Sequence, residues 1–103
     1  MNQSVAYADK LIVDLIRSFG ALGDAGSKLE VLRRSVAVVG RFLYSYDVDP
    51  ELRQDFEISV FRKFKEIESE DDIDEVHSSM LRNLRRIHEN LNTRKTKENA
   101  NPA

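Results

Sequence analysis

Two histidines are the side chains in this sequence whose chemistry suits proton transfer or metal binding. His77 and His88 stand eleven residues apart, which corresponds to about three turns of a helix. Histidines that share one metal ion on a helix are typically four residues apart, so this pair cannot reach the same ion. We expect each histidine to lie at the edge of a helix core stripe with a solvated tip, and we expect neither a metal nor a cofactor.

A run of carboxylates at 68–75, ESEDDIDE, is the second group that could bind a ligand. It lacks the glycine and the alternating ligand spacing of a calcium-binding loop. Farther along the same segment the charge becomes positive. Acids at the start of a helix and bases near its end both complement the helix dipole. The run therefore predicts the start of a helix rather than a cation site.

The glycine-rich stretch at 20–28, GALGDAGSK, has the composition of a phosphate-binding loop but not its order. Such a loop needs glycine, lysine and then serine or threonine after a strand, whereas here Ser27 precedes Lys28 after a helical segment. No nucleophile elbow surrounds any serine, although serine, histidine and aspartate could still converge in space. We therefore predict an interhelical turn at this stretch and a protein that is not an enzyme.

Four segments carry apolar residues at the three- and four-residue spacing of an amphipathic helix. They predict helices at about 4–20, 27–46, 50–68 and 72–92, and no segment alternates as a strand would. Short connections between such helices favour a small antiparallel bundle of four helices, an all-α fold. The expected core stripes are Val5, Ala8, Ile12, Leu15, Phe19, Leu22, Leu29, Leu32, Val36, Val39, Leu43, Tyr46, Leu52, Phe56, Val60, Phe64, Ile67, Ile73, Val76, Met80, Leu84, Ile87 and Leu91.

Individual residues indicate where helices start and where the domain ends. Ser27 and Glu30 have the spacing of a capping box, and Pro50 suits the first position of the third helix. A chain of 103 residues is one domain by its length, and we place that domain at 1–93. The remaining residues, 94–103, have no apolar periodicity and are predicted to form a flexible polar tail.

Composition also indicates the compartment. The sequence has no apolar run of about eighteen residues, and Asp9 and Asp14 interrupt the region where a signal peptide would need an apolar core. The absence of cysteine excludes disulfides and thiolate chemistry and fits a reducing compartment. We expect a cytoplasmic protein that has no membrane partner.

Apolar residues beyond the core stripes are the best indication of a function. On the second helix Val31, Val38 and Phe42 form a second row beside the stripe. On the third helix Ile58 points nearly opposite the stripe and Phe61 lies on its edge. A wide apolar arc implies burial on two sides, either by a central position of the second helix or by a partner. We predict a partner or dimer interface at these five residues, with burial inside the chain as the alternative.

Charge is unevenly distributed along the chain. Residues 1–46 hold six basic and four acidic side chains, residues 47–75 hold four and twelve, and residues 76–103 hold six and two. The successive net charges are therefore +2, −8 and +4. Three arginines share the face of the fourth helix opposite its core stripe, where they could contact phosphates or an acidic partner: Arg82, Arg85 and Arg86.

These features favour a small regulatory protein that covers the surface of another protein, as an adaptor, inhibitor or anti-activator, and that forms a homodimer. The arginine face supports an alternative, a nucleic-acid-binding regulator that uses this face and the C-terminal tail. Against the alternative, the strongly acidic segment 47–75 would place a negative field nearby.

Overall fold

The computed structural model describes residues 3–20, 24–46 and 48–100, and within 94–100 it describes the backbone alone. Four helices contain most of these residues: α1 (Gln3–Gly20), α2 (Ala25–Ser45), α3 (50–65) and α4 (Glu70–Ala100). The described ranges contain no strand, and the predicted all-α fold is confirmed. Within the same ranges, no helix combines the length and the apolar character that crossing a membrane requires.

The ends of the helices differ from the prediction mainly at the C-terminus. Helix α4 continues to Ala100 instead of ending near residue 92, so the backbone of 94–100 is helical. The flexibility of the polar tail stays a prediction, and 101–103 lie outside the described residues. Leu22, which was expected in the core, also lies outside them.

Helix α4 lies at the centre of the fold and contacts α1, α2 and α3. Its residues Met80, Leu84 and Ile87 are completely buried. The other described members of the predicted stripes are buried or packed against the core, except Leu29, which is 39% exposed. Burying one large apolar side chain contributes about 1.5 to 3 kcal/mol, so the matched stripes account for the association of the helices.

Two aspartates cap the starts of α2 and α4. Asp24 is the N-cap of α2 and accepts a hydrogen bond of 3.1 Å from the Ser27 amide. The predicted capping box at Ser27 and Glu30 is wrong, because the helix begins two residues earlier than expected. A reciprocal capping box occurs instead at α4, where Asp72 accepts from the Ser69 amide and the Ser69 hydroxyl accepts from the Asp72 amide.

Helix α3 changes from α-helical to π-helical and back. Pro50–Phe56 is α-helical, Glu57–Phe61 is a π-helical turn in which the Arg62 amide donates to the Glu57 carbonyl, and Arg62–Lys65 is again α-helical. A π-turn adds one residue to a helix without displacing the faces on either side of it. This added residue keeps the stripe of α3 directed at the core.

Candidate functional site

Phe42 belongs to the core and not to an exposed row on α2. Its side chain is 2% exposed, because Tyr7 stacks on it at a ring-centroid distance of 5.5 Å and Tyr46 packs beside it at 5.2 Å. For Phe42 the structure therefore shows burial inside the chain, which was the alternative to an interface at this row. Val31 and Val38, in the same row, are half-buried. The second row of α2 is therefore partly used in packing against α1.

A groove runs between α1 and α2 on their outer side. Its middle is a cavity of about 170 Å³, with an apolar floor and a polar edge. The floor consists of Leu11, Leu15, Val38 and Val39, and the edge consists of Asp14, Ser18, Arg34 and Ser35.

The cavity continues toward the N-terminus of α1. A second depression shares Val38 with it and is lined by Tyr7, Arg41, Phe42, Ser45 and Tyr46. A third shares Tyr7 and Tyr46 and reaches Gln3, Ala6 and Lys10. We call the three depressions together the α1–α2 groove. Along α1 it extends from residue 3 to residue 18, a span of about 22 Å at about 1.5 Å per residue.

The edge of the groove carries more positive than negative charge. Lys10 lies on the α1 side, Arg34 and Arg41 lie on the α2 side, and Asp14 is the carboxylate among the lining residues. Arg34 is exposed and its Nε lies 3.2 Å from Glu30 Oε1. Ion pairs this exposed contribute little to stability, so the Arg34 side chain remains available to a ligand.

The two predicted interface residues of α3 lie outside the groove. Ile58 is 48% exposed on the surface of α3. Phe61 is half-buried and meets Phe56 edge to face at a centroid distance of 5.1 Å. A Cβ atom at Gly40 of α2 would lie 3.1 Å from the Phe61 ring, so this glycine allows α2 and α3 to approach closely. The five predicted residues therefore do not form one continuous surface.

The arginine face of α4 is partly engaged within the chain. Arg86 Nη1 lies 3.1 Å from Asp55 Oδ2, and Arg82 donates to the Ser79 hydroxyl at 3.0 Å. Arg85 is exposed and forms no ion pair with a described side chain. Contact of this face with nucleic acid or an acidic partner stays a prediction.

Both histidines are half-buried at the edge of the core, as the sequence predicted. The His77 ring stacks on Phe19 at a centroid distance of 3.8 Å, and its Nε2 lies 3.4 Å from the Leu15 carbonyl oxygen. Burial lowers the pKa of His77 from its ordinary value of 6.5 and outweighs the opposing effects of that carbonyl and of Asp74. Among the described residues, no three acidic or histidine side chains are placed to hold a metal ion.

Sequence reasoning found Val38 but missed the residues of α1 that face it. Tyr7, Leu11 and Ser18 stand four and seven residues apart on one side of α1, beside its core stripe. That spacing could have predicted that α1 has a second side, beside its core stripe, that lines a groove. The pairing of this side with α2, and hence the groove, depends on how the two helices pack.

Comparisons with known proteins found no match among protein-family models, curated proteins or solved structures. Function has therefore to be inferred from the geometry of the chain.

Proposed function

We propose that this protein is a small non-enzymatic interaction or regulatory protein that binds a helix of a partner protein in the α1–α2 groove. Helix-in-groove recognition uses the apolar face of the bound helix and needs no catalytic group on either side. The observation that carries the proposal is the position of Val38. This side chain is half-buried and lines two adjoining depressions of the groove, where Leu11 is also half-buried and both remain partly accessible.

The dimensions and chemistry of the groove support a helix as its occupant. A groove of about 22 Å matches about four turns of helix. Leu11 and Val38 provide apolar contacts in its middle, and Tyr7 and Tyr46 provide aromatic contacts toward one end. Tyrosine is enriched at energetically important positions of protein interfaces.

Self-association would instead place a second copy on the second row of α2, where Val31 is not among the residues that line the groove. The sequence predicted a homodimer through Val31, Val38 and Phe42, and that prediction is reduced to Val31 and Val38 because Phe42 is buried. Homodimer formation stays a prediction and is one outcome of the experiment that tests the proposed function.

A pair of matched substitutions tests the proposal. Val38→Glu places a charge in the groove, and Ile58→Glu makes the same chemical change on the exposed surface of α3. Each variant and the wild-type protein are used to capture partners from extracts of the source cells, with quantification by mass spectrometry. We expect a partner that the wild type and Ile58→Glu retain and that Val38→Glu loses. Retention by Val38→Glu together with loss by Ile58→Glu would contradict the proposal.

A further inference from the structure

The charged edge of the α1–α2 groove indicates which kind of helix it accepts. Cationic side chains border both walls, Lys10 on α1 and Arg34 and Arg41 on α2. Lys10 and Arg41 are exposed, and neither forms an ion pair with a described side chain. Asp14 is the one acidic group among the lining residues. A helix with negative charge on both flanks would therefore meet Lys10 on one side and Arg34 and Arg41 on the other, with Asp14 as the opposing charge on the Lys10 side.

We propose that the α1–α2 groove binds an amphipathic helix of another protein that carries acidic residues on both sides of its apolar stripe. This inference rests on the proposed function, because it names the partner of the same groove. The apolar stripe would contact Leu11 and Val38, and the acidic flanks would face Lys10 and Arg41. The apolar contacts provide most of the affinity, since exposed ion pairs each contribute little. The charges select the ligand and accelerate its association.

A second copy of this chain is a poorer occupant. A twofold dimer that places groove against groove would bring the two positive edges together, and facing like charges oppose association. On α1, the exposed large apolar residues outside the groove are Val13 and Ile16. Their neighbours Asp9 and Arg17 are of opposite sign, so this face of a second copy does not carry acidic residues on both sides. The charge pattern of the groove therefore favours a different protein.

Two synthetic peptides test the inference on the full chain. Each has about 16 residues, a length that matches the groove, and a leucine stripe at helical spacing. One has glutamates on both flanks of the stripe, and the other has lysines at the same positions. Amide signals of the isotope-labelled protein report where each peptide binds and how tightly. We expect the glutamate peptide to shift the signals of Leu11 and Val38 and to bind at least about tenfold more tightly than the lysine peptide.

Charge reversal at the groove should change this preference. Lys10→Glu combined with Arg41→Glu is expected to weaken binding of the glutamate peptide about tenfold. The matched control combines Arg62→Glu with Lys65→Glu, which makes the same change in net charge at exposed positions of α3. The control is expected to retain most of the affinity, because the reversed charges lie away from the groove. Raising the salt concentration should weaken binding of the glutamate peptide in the wild type.

The possible outcomes separate this inference from the proposed function. Equal binding of both peptides in the groove, abolished by Val38→Glu, would overturn the acidic preference and leave helix binding intact. Failure of both peptides to shift groove signals at millimolar concentration would overturn both proposals. A wild-type dimer that Val38→Glu converts to a monomer would identify a second copy as the occupant and would also overturn the inference. If the α3 control lost as much affinity for the glutamate peptide, the affinity would depend on the net charge of the protein and not on the charges at the groove. That result would also overturn the inference.

Discussion

Phe42 shows how one neighbour decides whether an apolar residue is core or surface. Its position in a second row of α2 was compatible with an interface, and the sequence offered no way to exclude this. In the structure the Tyr7 ring of α1 stacks on it at 5.5 Å. Tyr7 itself is 36% exposed, so this tyrosine forms both the cover of the core and part of the groove. The distinction depends on helix pairing, which periodicity within one helix cannot report.

Truncation of Phe42 should therefore destabilise the chain itself. Phe42→Ala is expected to lower the free energy of unfolding by about 3 to 5 kcal/mol, the usual cost of emptying a buried phenylalanine site. Val38→Ala is the control and should cost about 1 kcal/mol, because this smaller side chain is half-buried. Urea unfolding followed by far-ultraviolet circular dichroism measures both values. A loss at Phe42 no larger than that at Val38 would show that Phe42 is not a core residue.

His77 should make stability depend on pH. Its folded-state pKa lies below the ordinary value of 6.5, mainly because the ring is partly buried. The unfolded chain then binds a proton more readily, so stability is fully present above about pH 6.5 and decreases as the pH falls below it. The pKa values of two aspartates are also lowered, because Asp24 accepts hydrogen bonds from Ser27 and Asp72 accepts one from the Glu68 amide. These two groups change the stability only at a lower pH, below their ordinary pKa of 3.8.

The variant His77→Phe retains a ring against Phe19 and removes the titrating group. Free energies of unfolding measured between about pH 7.5 and pH 5.5 should decrease for the wild type and change less for the variant. The same decrease in both proteins would assign the pH dependence to other groups.

At the scale of elements, α3 shows what spacing can and cannot predict. The stripe residues Leu52, Phe56, Val60 and Phe64 are separated by three steps of four residues. In a regular α-helix each such step overshoots one turn by about 40°, so the stripe would leave the core face. The π-turn at Glu57–Phe61 removes this drift, and Phe56 and Val60 are both completely buried. The repeated four-residue spacing in the sequence could therefore have predicted the π-turn.

A deletion tests this explanation of the π-turn. Removing Ser59 changes the three steps between Leu52, Phe56, Val60 and Phe64 to four, three and four residues, which suits an uninterrupted α-helix. We expect this variant to fold with similar helicity and with stability within about 1 kcal/mol of the wild type, because the core face is preserved. The control removes Ala37, an exposed residue within the regular helix α2. That deletion rotates the following half of α2 by about 100° and should destabilise the chain severely. Comparable losses in both variants would contradict the explanation.

The rest of the fold was predictable to different degrees. The four helices and nearly all described core residues follow from apolar spacing, since burial of one helix face is imposed by the sequence. The cap of α2 was misplaced because two acceptable capping residues, Asp24 and Ser27, stand three positions apart. The α1–α2 groove could not be predicted. Its two walls come from different helices, and only their packing brings Leu11 close to Val38.

At the scale of the whole molecule, the folded chain partly neutralises the segregated charges. Lys28 of α2 lies 3.2 Å from Glu70 and 3.7 Å from Asp74 at the start of α4. Arg86 of α4 lies 3.1 Å from Asp55 of α3. The acidic segment 47–75 is therefore engaged by two bases from outside it, Lys28 and Arg86, whereas Lys10 and Arg41 at the groove form no ion pair with described side chains. Lys10 and Arg41 therefore leave positive charge at the edge of the groove that the described side chains do not pair.

Site-specific photo-crosslinking in the source cells tests the central claim most directly. A photoreactive amino acid replaces Ser45, which is exposed and lines the groove, and in a separate variant it replaces Ile58 on α3 as the control. We expect a covalent adduct with a different protein from position 45, at much higher yield than from position 58. An adduct formed from position 58 alone, or none from position 45 in cells that express the folded variant, would contradict the claim that the groove binds a partner protein.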